Sequence, residues 1–216
     1  MQTWKGWRTP TLTKILAISA SPVVDSSTDL ILKRLTSSLV NALGKQGEPQ
    51  VWFLRLNELS FVPCQACGKA PTPEFCFFDD ALVEPYRALA ECDCLIFGSP
   101  VYFDSVSAQA KMFIDRCNCF RPADFKSSAP EHRFVKILKR KRPGAMVLVG
   151  GERGWFEGAR RVVAGFFKWV EVVNEGQLYY RSPGFGKAGY ARDDARIMHK
   201  ADLLGRKLAK LLAGKG

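Results

Sequence analysis

Residues 15–28 run from a continuous apolar stretch into a turn rich in serine, and then into the start of a helical pattern. A short apolar run bounded by turn residues is typical of a strand buried on both faces of a parallel sheet, since a surface strand would alternate. The polar turn would then lie at the carboxyl end of this strand. Parallel strands need crossover helices, so this segment predicts an α/β fold.

The same turn carries the donors that a phosphate group needs. The first N–H groups of a helix have no helical partner, and the helix dipole favours an anion there. Hydroxyl groups that can add hydrogen bonds occur at Ser19, Ser21, Ser26, Ser27 and Thr28. The glycine loops of dinucleotide and triphosphate sites do not follow Ile18. The sequence therefore predicts a terminal monophosphate here; N-capping of a helix is the alternative use of these residues.

Composition agrees with one domain. The chain has 216 residues, of which 47% are hydrophobic and 25% charged, and this is enough for a substantial core. We expect an N-terminal arm at residues 1–12 and a single domain at residues 13–216. Neither a bilayer-spanning apolar run nor a signal peptide is present, so we expect a cytoplasmic protein with no membrane partner. Its seven cysteines are expected to be reduced.

Apolar runs alternate with segments of helical period, which predicts five parallel strands joined by helices. The expected strands are residues 14–19, 51–56, 93–98, 145–150 and 177–181. Right-handed crossovers favour the strand order 2-1-3-4-5, with a mononucleotide at the switch point between strands 1 and 3. The loops that follow the strands on that edge should form the site.

Two more loops on this edge can contact the same ligand. The loop after strand 3 presents backbone amides and aromatic rings to a flat ring system, and the glycine turn after strand 4 allows a close backbone approach. A proline turn with core aromatic residues and an ordinary glycine turn are the alternatives. The expected site residues in these two loops are Pro100, Val101, Tyr102, Phe103, Gly150, Gly151 and Gly154.

These segments resemble the NAD(P)H-dependent FMN reductase family. The family's phosphate loop reads approximately Ser-Gly-Ser-Pro-Arg-x-x-Gly-Asn-Thr. Residues 19–28 read Ser-Ala-Ser-Pro-Val-Val-Asp-Ser-Ser-Thr, and Pro22 matches the proline of that pattern. The likeness continues through residues 97–103, 105–111 and 113–116. The resemblance implies a flavodoxin-like three-layer sandwich that binds FMN. It also implies NADPH or NADH as electron donor and a small acceptor, such as a quinone, a flavin, or a nitro or azo compound.

Further expectations follow from this resemblance. The family usually forms homodimers or homotetramers. Because the flavin carries the redox chemistry, we expect no catalytic side chain. Val23 stands where the family has arginine, and Asp104 where it often has glycine. Asp104 is expected either to disfavour an anionic reduced flavin or to cap the following helix.

The cysteine loop also resembles that of the iron-sulfur flavoproteins. Cys64, Cys67 and Cys76 match three of its four cysteines, and Ala70 occupies the remaining position. A cubane cluster normally needs four thiolates, so we expect a loop without metal that lines the flavin. An iron-sulfur electron carrier that uses these three cysteines is the alternative.

The net charge of +11 raises the question of a polyanion partner. The basic run at residues 136–142 precedes strand 4 and should lie on the rim away from the flavin, so we expect a solvated face or an oligomer contact and no nucleic-acid partner. A redox-inactive polyanion-binding protein is the alternative. Arg153, Arg181 and Lys187 follow strands on the flavin side and are candidates for the phosphates of the nicotinamide nucleotide.

Overall fold

A twisted parallel sheet lies between two layers of helices. The computed structural model describes residues 12–44, 48–68, 75–124, 134–184 and 188–214. In chain order its elements are β1 (Lys14–Ser19), α1 (Ser27–Leu43), β2 (Gln50–Arg55), α2 (Val83–Glu91), β3 (Cys94–Tyr102), β4 (Ser105–Val106), α3 (Ala108–Arg116), β5 (Arg142–Gly150), α4 (Glu157–Trp169), β6 (Val172–Arg181) and α5 (Ala195–Ala213).

The sheet order is β2-β1-β3-β5-β6, and all of these neighbours pair in parallel. This confirms the predicted order of the five long strands. The additional strand β4 has two residues and pairs antiparallel with the end of β3. The chain therefore makes a hairpin after β3 before it enters α3, instead of passing directly from strand to helix.

Both faces of the sheet are buried, as the apolar run of β1 indicates. Its residues alternate between two cores: Leu16 and Ile18 pack with α2, α3 and α4 on one face, and Ile15 and Ala17 pack with α1 and α5 on the other. All four side chains are fully buried. This is the three-layer sandwich that the resemblance implies.

The strand at one edge of the sheet is longer than the sequence predicts. β6 begins at Val172, five residues before the expected start at Gln177. Most residues in its first half are exposed or partly exposed. Its sequence there lacks the continuous apolar run that marks a central strand.

Most of the predicted N-terminal arm lies outside the described residues, so the arm stays a prediction. Within the described part of the chain, no helix combines the length and apolar character that spanning a bilayer requires.

Candidate functional site

The carboxyl ends of β1, β3 and β5 lie side by side, and we call this side of the sheet the carboxyl edge. The chain crosses from β1 to β2 in one direction, while β3 lies on the other side of β1. A crevice forms at such a switch point in parallel sheets. The structure thus brings the three loops of the expected site to one edge. They are the loop at residues 20–26, the loop after β3, which forms a hairpin turn at residues 103–104, and the loop at residues 151–156.

Hydroxyl groups shape the loop between β1 and α1. Ser26 caps α1, since its Oγ accepts a hydrogen bond of 3.2 Å from the N–H of Asp29. The Oγ of Ser21 accepts from the N–H of Val23 at 3.2 Å. The Oγ of Ser27 accepts from the N–H of Ala191 at 3.1 Å. Three of the predicted phosphate ligands therefore already have protein partners, and their contact with a phosphate stays a prediction.

The remaining two hydroxyl residues of the loop are buried. Ser19 donates to Oδ1 of Asp29 at 2.5 Å, and Thr28 packs so close to β3 that a Cβ added to Gly98 would lie 3.0 Å from its methyl group. Pro22 is partly buried at the start of the loop. These contacts fix the first turn of α1 against the sheet, and its N–H groups are positioned at the crevice.

A buried ion pair below the loop was not anticipated from the sequence. The side chain of Asp29 is 0% exposed and pairs with the guanidinium of Arg55. Arg55 also donates to the carbonyl of Ser21 at 3.3 Å, and its Nε lies 3.0 Å from Glu58. Arg55 ends β2 and pairs in register with Ser19. A guanidinium thus reaches the loop from the neighbouring strand, while Val23 occupies the position of the family's arginine.

The hairpin between β3 and β4 exposes two aromatic rings. Its central residues, Phe103 and Asp104, have φ angles of 50° and 56°, as a two-residue hairpin of type I′ requires. Phe103 is fully exposed and Tyr102 is 49% exposed. A bulky residue rarely adopts a left-handed conformation, and such strain is concentrated at functional sites. Pro100 is buried and Val101 partly buried at the base of the hairpin.

Asp104 caps a different helix from the one expected. Its Oδ1 accepts from the N–H of Gly158 at 3.2 Å, in the first turn of α4, whereas α3 is capped by Ser107. The hairpin causes this difference, because it turns Asp104 away from the start of α3. Gly158 permits the contact, since a Cβ there would lie 2.1 Å from the carbonyl oxygen of Asp104.

The glycine turn after β5 forms the third side of the crevice. The N–H of Gly154 donates to the carbonyl of Gly151 at 2.9 Å, directly after buried Gly150. The turn presents Trp155, which is 78% exposed and is not among the site residues that the sequence predicts. The signal for it in the sequence is a tryptophan directly after a glycine turn at the carboxyl edge.

Two of the three side chains expected to contact the nicotinamide nucleotide lie on this edge. Arg153 is exposed in the glycine turn. Arg181 ends β6, and its guanidinium lies 5.2 Å from the ring centre of Phe156. Lys187 lies outside the described residues.

The crevice fits FMN. It combines the N-terminus of α1, which suits a phosphate, with exposed rings at Tyr102, Phe103 and Trp155, which suit a planar ligand. Isolated exposed apolar residues are common, but several at one edge mark a binding surface.

The cysteine loop does not fit a four-thiolate cluster. Cys64 and Cys76 are partly buried and Cys67 is exposed. Within the described residues, no three metal-ligating side chains are placed to hold a metal ion. Cys117 and Cys119 lie near Cys76, and burial, together with the neighbouring thiols, raises the pKa of both. Burial therefore disfavours the thiolate form of both, which is the form that ligates a metal.

Comparisons with known proteins identify the family of the chain. A family model described as NADPH-dependent FMN reductase matches residues 13–180. An iron-sulfur flavoprotein of Methanocaldococcus jannaschii is 29% identical over 205 residues, which cover 92% of this chain and 97% of the relative. An iron-sulfur flavoprotein of Methanosarcina thermophila is 29% identical over 159 residues, covering 74% of this chain and 73% of the relative.

Solved structures show the same fold. An azoreductase from Bacillus anthracis superposes with a TM-score of 0.58 at 17% identity, covering 92% of this chain and 99% of that one. A flavodoxin from the domain Archaea gives a TM-score of 0.54 at 10% identity, covering 93% and 99%. Because the family model matches most of the chain, the protein belongs to the NADPH-dependent FMN reductase family and is a flavin-dependent oxidoreductase.

Proposed function

We propose that the protein passes electrons from NAD(P)H through FMN to a small planar acceptor, such as a quinone, a free flavin, or a nitro or azo compound. The observation that carries this proposal is the exposed aromatic surface of Tyr102, Phe103 and Trp155 at the carboxyl edge. Rings of this kind pack against other flat rings. A solved structure with this fold is described as an azoreductase, which supports an acceptor of the same type.

In this proposal the FMN phosphate lies against the first turn of α1. The backbone N–H groups of Ser26, Ser27 and Thr28 and the helix dipole would hold it, with Ser19, Ser21 and Pro22 shaping the loop around it. The carboxylate of Asp29 would repel a phosphate so close by, but Arg55 neutralises it. The charge of Asp29 is therefore compensated by an ion pair beneath the loop.

The ring of the flavin would lie between the hairpin and the glycine turn. Backbone groups of Pro100 and Val101 and the rings of Tyr102 and Phe103 would contact one side, and Gly150, Gly151 and Gly154 would allow close approach on the other. A bound FMN would supply the redox chemistry, which is hydride acceptance from the nicotinamide and electron transfer to the acceptor. The protein holds the ring, excludes water from one face and leaves the other open.

Arg153 and Arg181 would meet the phosphates of the nicotinamide nucleotide. Arg153 is exposed beside the glycine turn, and Arg181 is held over Phe156. We further propose a homodimer in which a second copy covers part of the exposed rings, because a surface of this kind is typical of an interface.

An anaerobic titration tests the function. The purified protein, loaded with FMN, should show flavin absorption bands that NADH or NADPH bleaches, and adding a quinone or an azo dye should restore them. The donor that bleaches the bands at lower concentration is the preferred one. A chain that stays colourless after incubation with FMN would refute the proposal.

A second candidate is an iron-sulfur electron carrier, which the names of the curated relatives favour. It would use Cys64, Cys67 and Cys76, with Ala70 in place of a ligand. Iron and acid-labile sulfide assays on protein purified without oxygen separate the two candidates. Stoichiometric iron and sulfide would support the carrier, and their absence would support the reductase.

A further inference from the structure

A cleft lies at the end of the sheet opposite the carboxyl edge. A cleft of about 500 Å³ opens where β5 and β6 begin, next to the end of α4. β5 spans nine residues, and at about 3.3 Å per residue its two ends are too far apart for one small ligand to reach the flavin crevice from this cleft. The cleft is therefore separate from the oxidoreductase site.

Positive charge dominates this cleft, which we call the cationic cleft. It is lined by Arg121, Lys136, Lys141 and Lys168, with Glu171 as the acidic residue among its lining side chains. Glu171 is 5% exposed, and its two oxygens are occupied, one by Arg121 and one by Lys136 at 2.8 Å. Within the described part of the chain, Lys141 and Lys168 have no ion-pair partner.

A buried guanidinium adds to this positive potential. Arg142 is 1% exposed, and its N–H donates to the carbonyl of Glu171 at 3.1 Å. Its guanidinium donates to the carbonyls of Val170 and Ala90 at 3.1 Å and 3.5 Å; its Nε has no hydrogen-bond partner. It has no carboxylate partner among the described residues. A buried charge without a counterion raises the local potential, because little solvent screens it.

The basic run at residues 136–142 thus differs from a simple solvated face. Lys136 pairs with Glu171, and Arg140 with Asp93 at 2.5 Å, while Arg142 is buried. These contacts hold the run in place. The fold therefore determines the position of Lys141, which lines the cleft.

We propose that the cationic cleft binds a small organic polyphosphate, that is, a molecule with an apolar or aromatic face and two or more phosphate groups. Lys141 and Lys168 would contact the phosphates, and the apolar or aromatic face would pack on Ala164 and Val173, which lie above buried Phe167. The volume is within the range of small-molecule sites. Arg121 and Lys136 remain engaged with Glu171 and supply additional attraction.

Calorimetry on the FMN-loaded protein tests this inference with three probes: inorganic pyrophosphate, ADP and geranyl diphosphate. Both organic probes should bind more tightly than pyrophosphate, and the tighter of the two identifies the source of the apolar or aromatic face. Replacing either free lysine, in Lys141→Ala or Lys168→Ala, should weaken binding about tenfold, since a charge-assisted hydrogen bond is lost. Lys200→Ala, at an exposed lysine of α5, is the matched control and should change nothing.

A variant with the opposite expected effect keeps the test decisive. Glu171→Gln removes the acidic charge and releases Arg121 and Lys136, so binding should tighten severalfold. The proposal fails if none of the probes binds at millimolar concentration, or if Lys141→Ala and Lys168→Ala bind them as the Lys200→Ala control does. Retention of single-stranded DNA without binding of any small probe also overturns it. FMN content is read separately from absorbance, so failure here leaves the proposed reductase function untouched.

Discussion

At the scale of single residues, the charge on Asp29 determines how the phosphate loop works. A carboxylate at the start of a helix is favoured by the helix dipole, but this one is fully buried and close to the proposed phosphate position. Arg55 compensates it and also holds the carbonyl of Ser21. Breaking a buried ion pair on one side leaves an uncompensated charge, which costs more than the pair contributes when intact.

Replacing Arg55 by methionine should therefore lower the free energy of unfolding by about 3 kcal/mol and weaken FMN binding. Urea denaturation and a fluorescence titration with FMN measure the two effects. The double variant Arg55→Met with Asp29→Asn should recover much of the stability. Arg34→Met, which breaks the exposed pair with Asp202, is the control and should have a much smaller effect. Equal losses in both single variants would contradict this account.

Replacing Phe103 should have the opposite effect on stability. Its left-handed backbone is strained, and asparagine adopts that conformation more readily. Phe103→Asn should raise the free energy of unfolding by about 1 kcal/mol while weakening FMN binding, because the ring is lost. Thermal unfolding and the FMN titration measure both. Phe103→Tyr keeps the ring and should leave both unchanged; a less stable Phe103→Asn would show that the ring has a structural role.

At the scale of elements, the contact between the hairpin and α4 positions one side of the crevice. Asp104 holds the first turn of α4, and Gly158 leaves room for it. The two elements are joined at a point where a single methyl group cannot fit.

Gly158→Ala should move the hairpin, lower the free energy of unfolding by about 2 kcal/mol and weaken FMN binding. The same helix offers a matched control at Gly165, where an added Cβ meets nothing within 4 Å. Gly165→Ala should stabilise the protein by up to about 1 kcal/mol through helix propensity and leave FMN binding unchanged. Chemical denaturation measures the free energy of unfolding of both variants. Changes of the same sign in the two variants would argue against the close contact between Asp104 and Gly158.

The sequence predicted the elements that local pattern determines. β1 was predicted to the residue, because burial on both faces produces a continuous apolar run between Lys14 and Ser19. The hairpin was missed, since Phe103 and Asp104 are not the Asn-Gly or Gly-Gly pairs that mark a two-residue turn. The pairing of Asp29 with Arg55 joins residues that are distant along the chain, and only the sheet register brings them together.

At the scale of the whole molecule, the two sides of the sheet carry different chemistry. The carboxyl edge presents aromatic rings, and the amino ends of β5 and β6 present cations around Glu171. Burial opposes ionisation of Glu171, but the hydrogen bond and charge of Lys136, together with Arg121, hold its pKa below the ordinary value. The carboxylate therefore stabilises the fold at neutral pH.

Because the folded-state pKa of Glu171 is lowered, its stabilising contribution is present above the unfolded pKa of about 4.3 and is lost as the pH falls through the folded pKa. Urea denaturation from pH 7 down to pH 3 should show a smaller acid-induced loss of stability in Glu171→Gln than in the wild type. Asp79→Asn, at a carboxylate without a resolved ion pair among the described contacts, provides the comparison. If the stability of Glu171→Gln and of the wild type fell in parallel with pH, Glu171 would not contribute to the acid-induced loss of stability.

The anchoring of Arg55 on β2 has a thermal consequence. β2 is the outermost strand on its side of the sheet, and outer strands fray before central ones. Gentle warming should loosen β2 first, withdraw the guanidinium from the loop and release the yellow cofactor while the central strands are still intact. Loss of colour would then precede loss of fold.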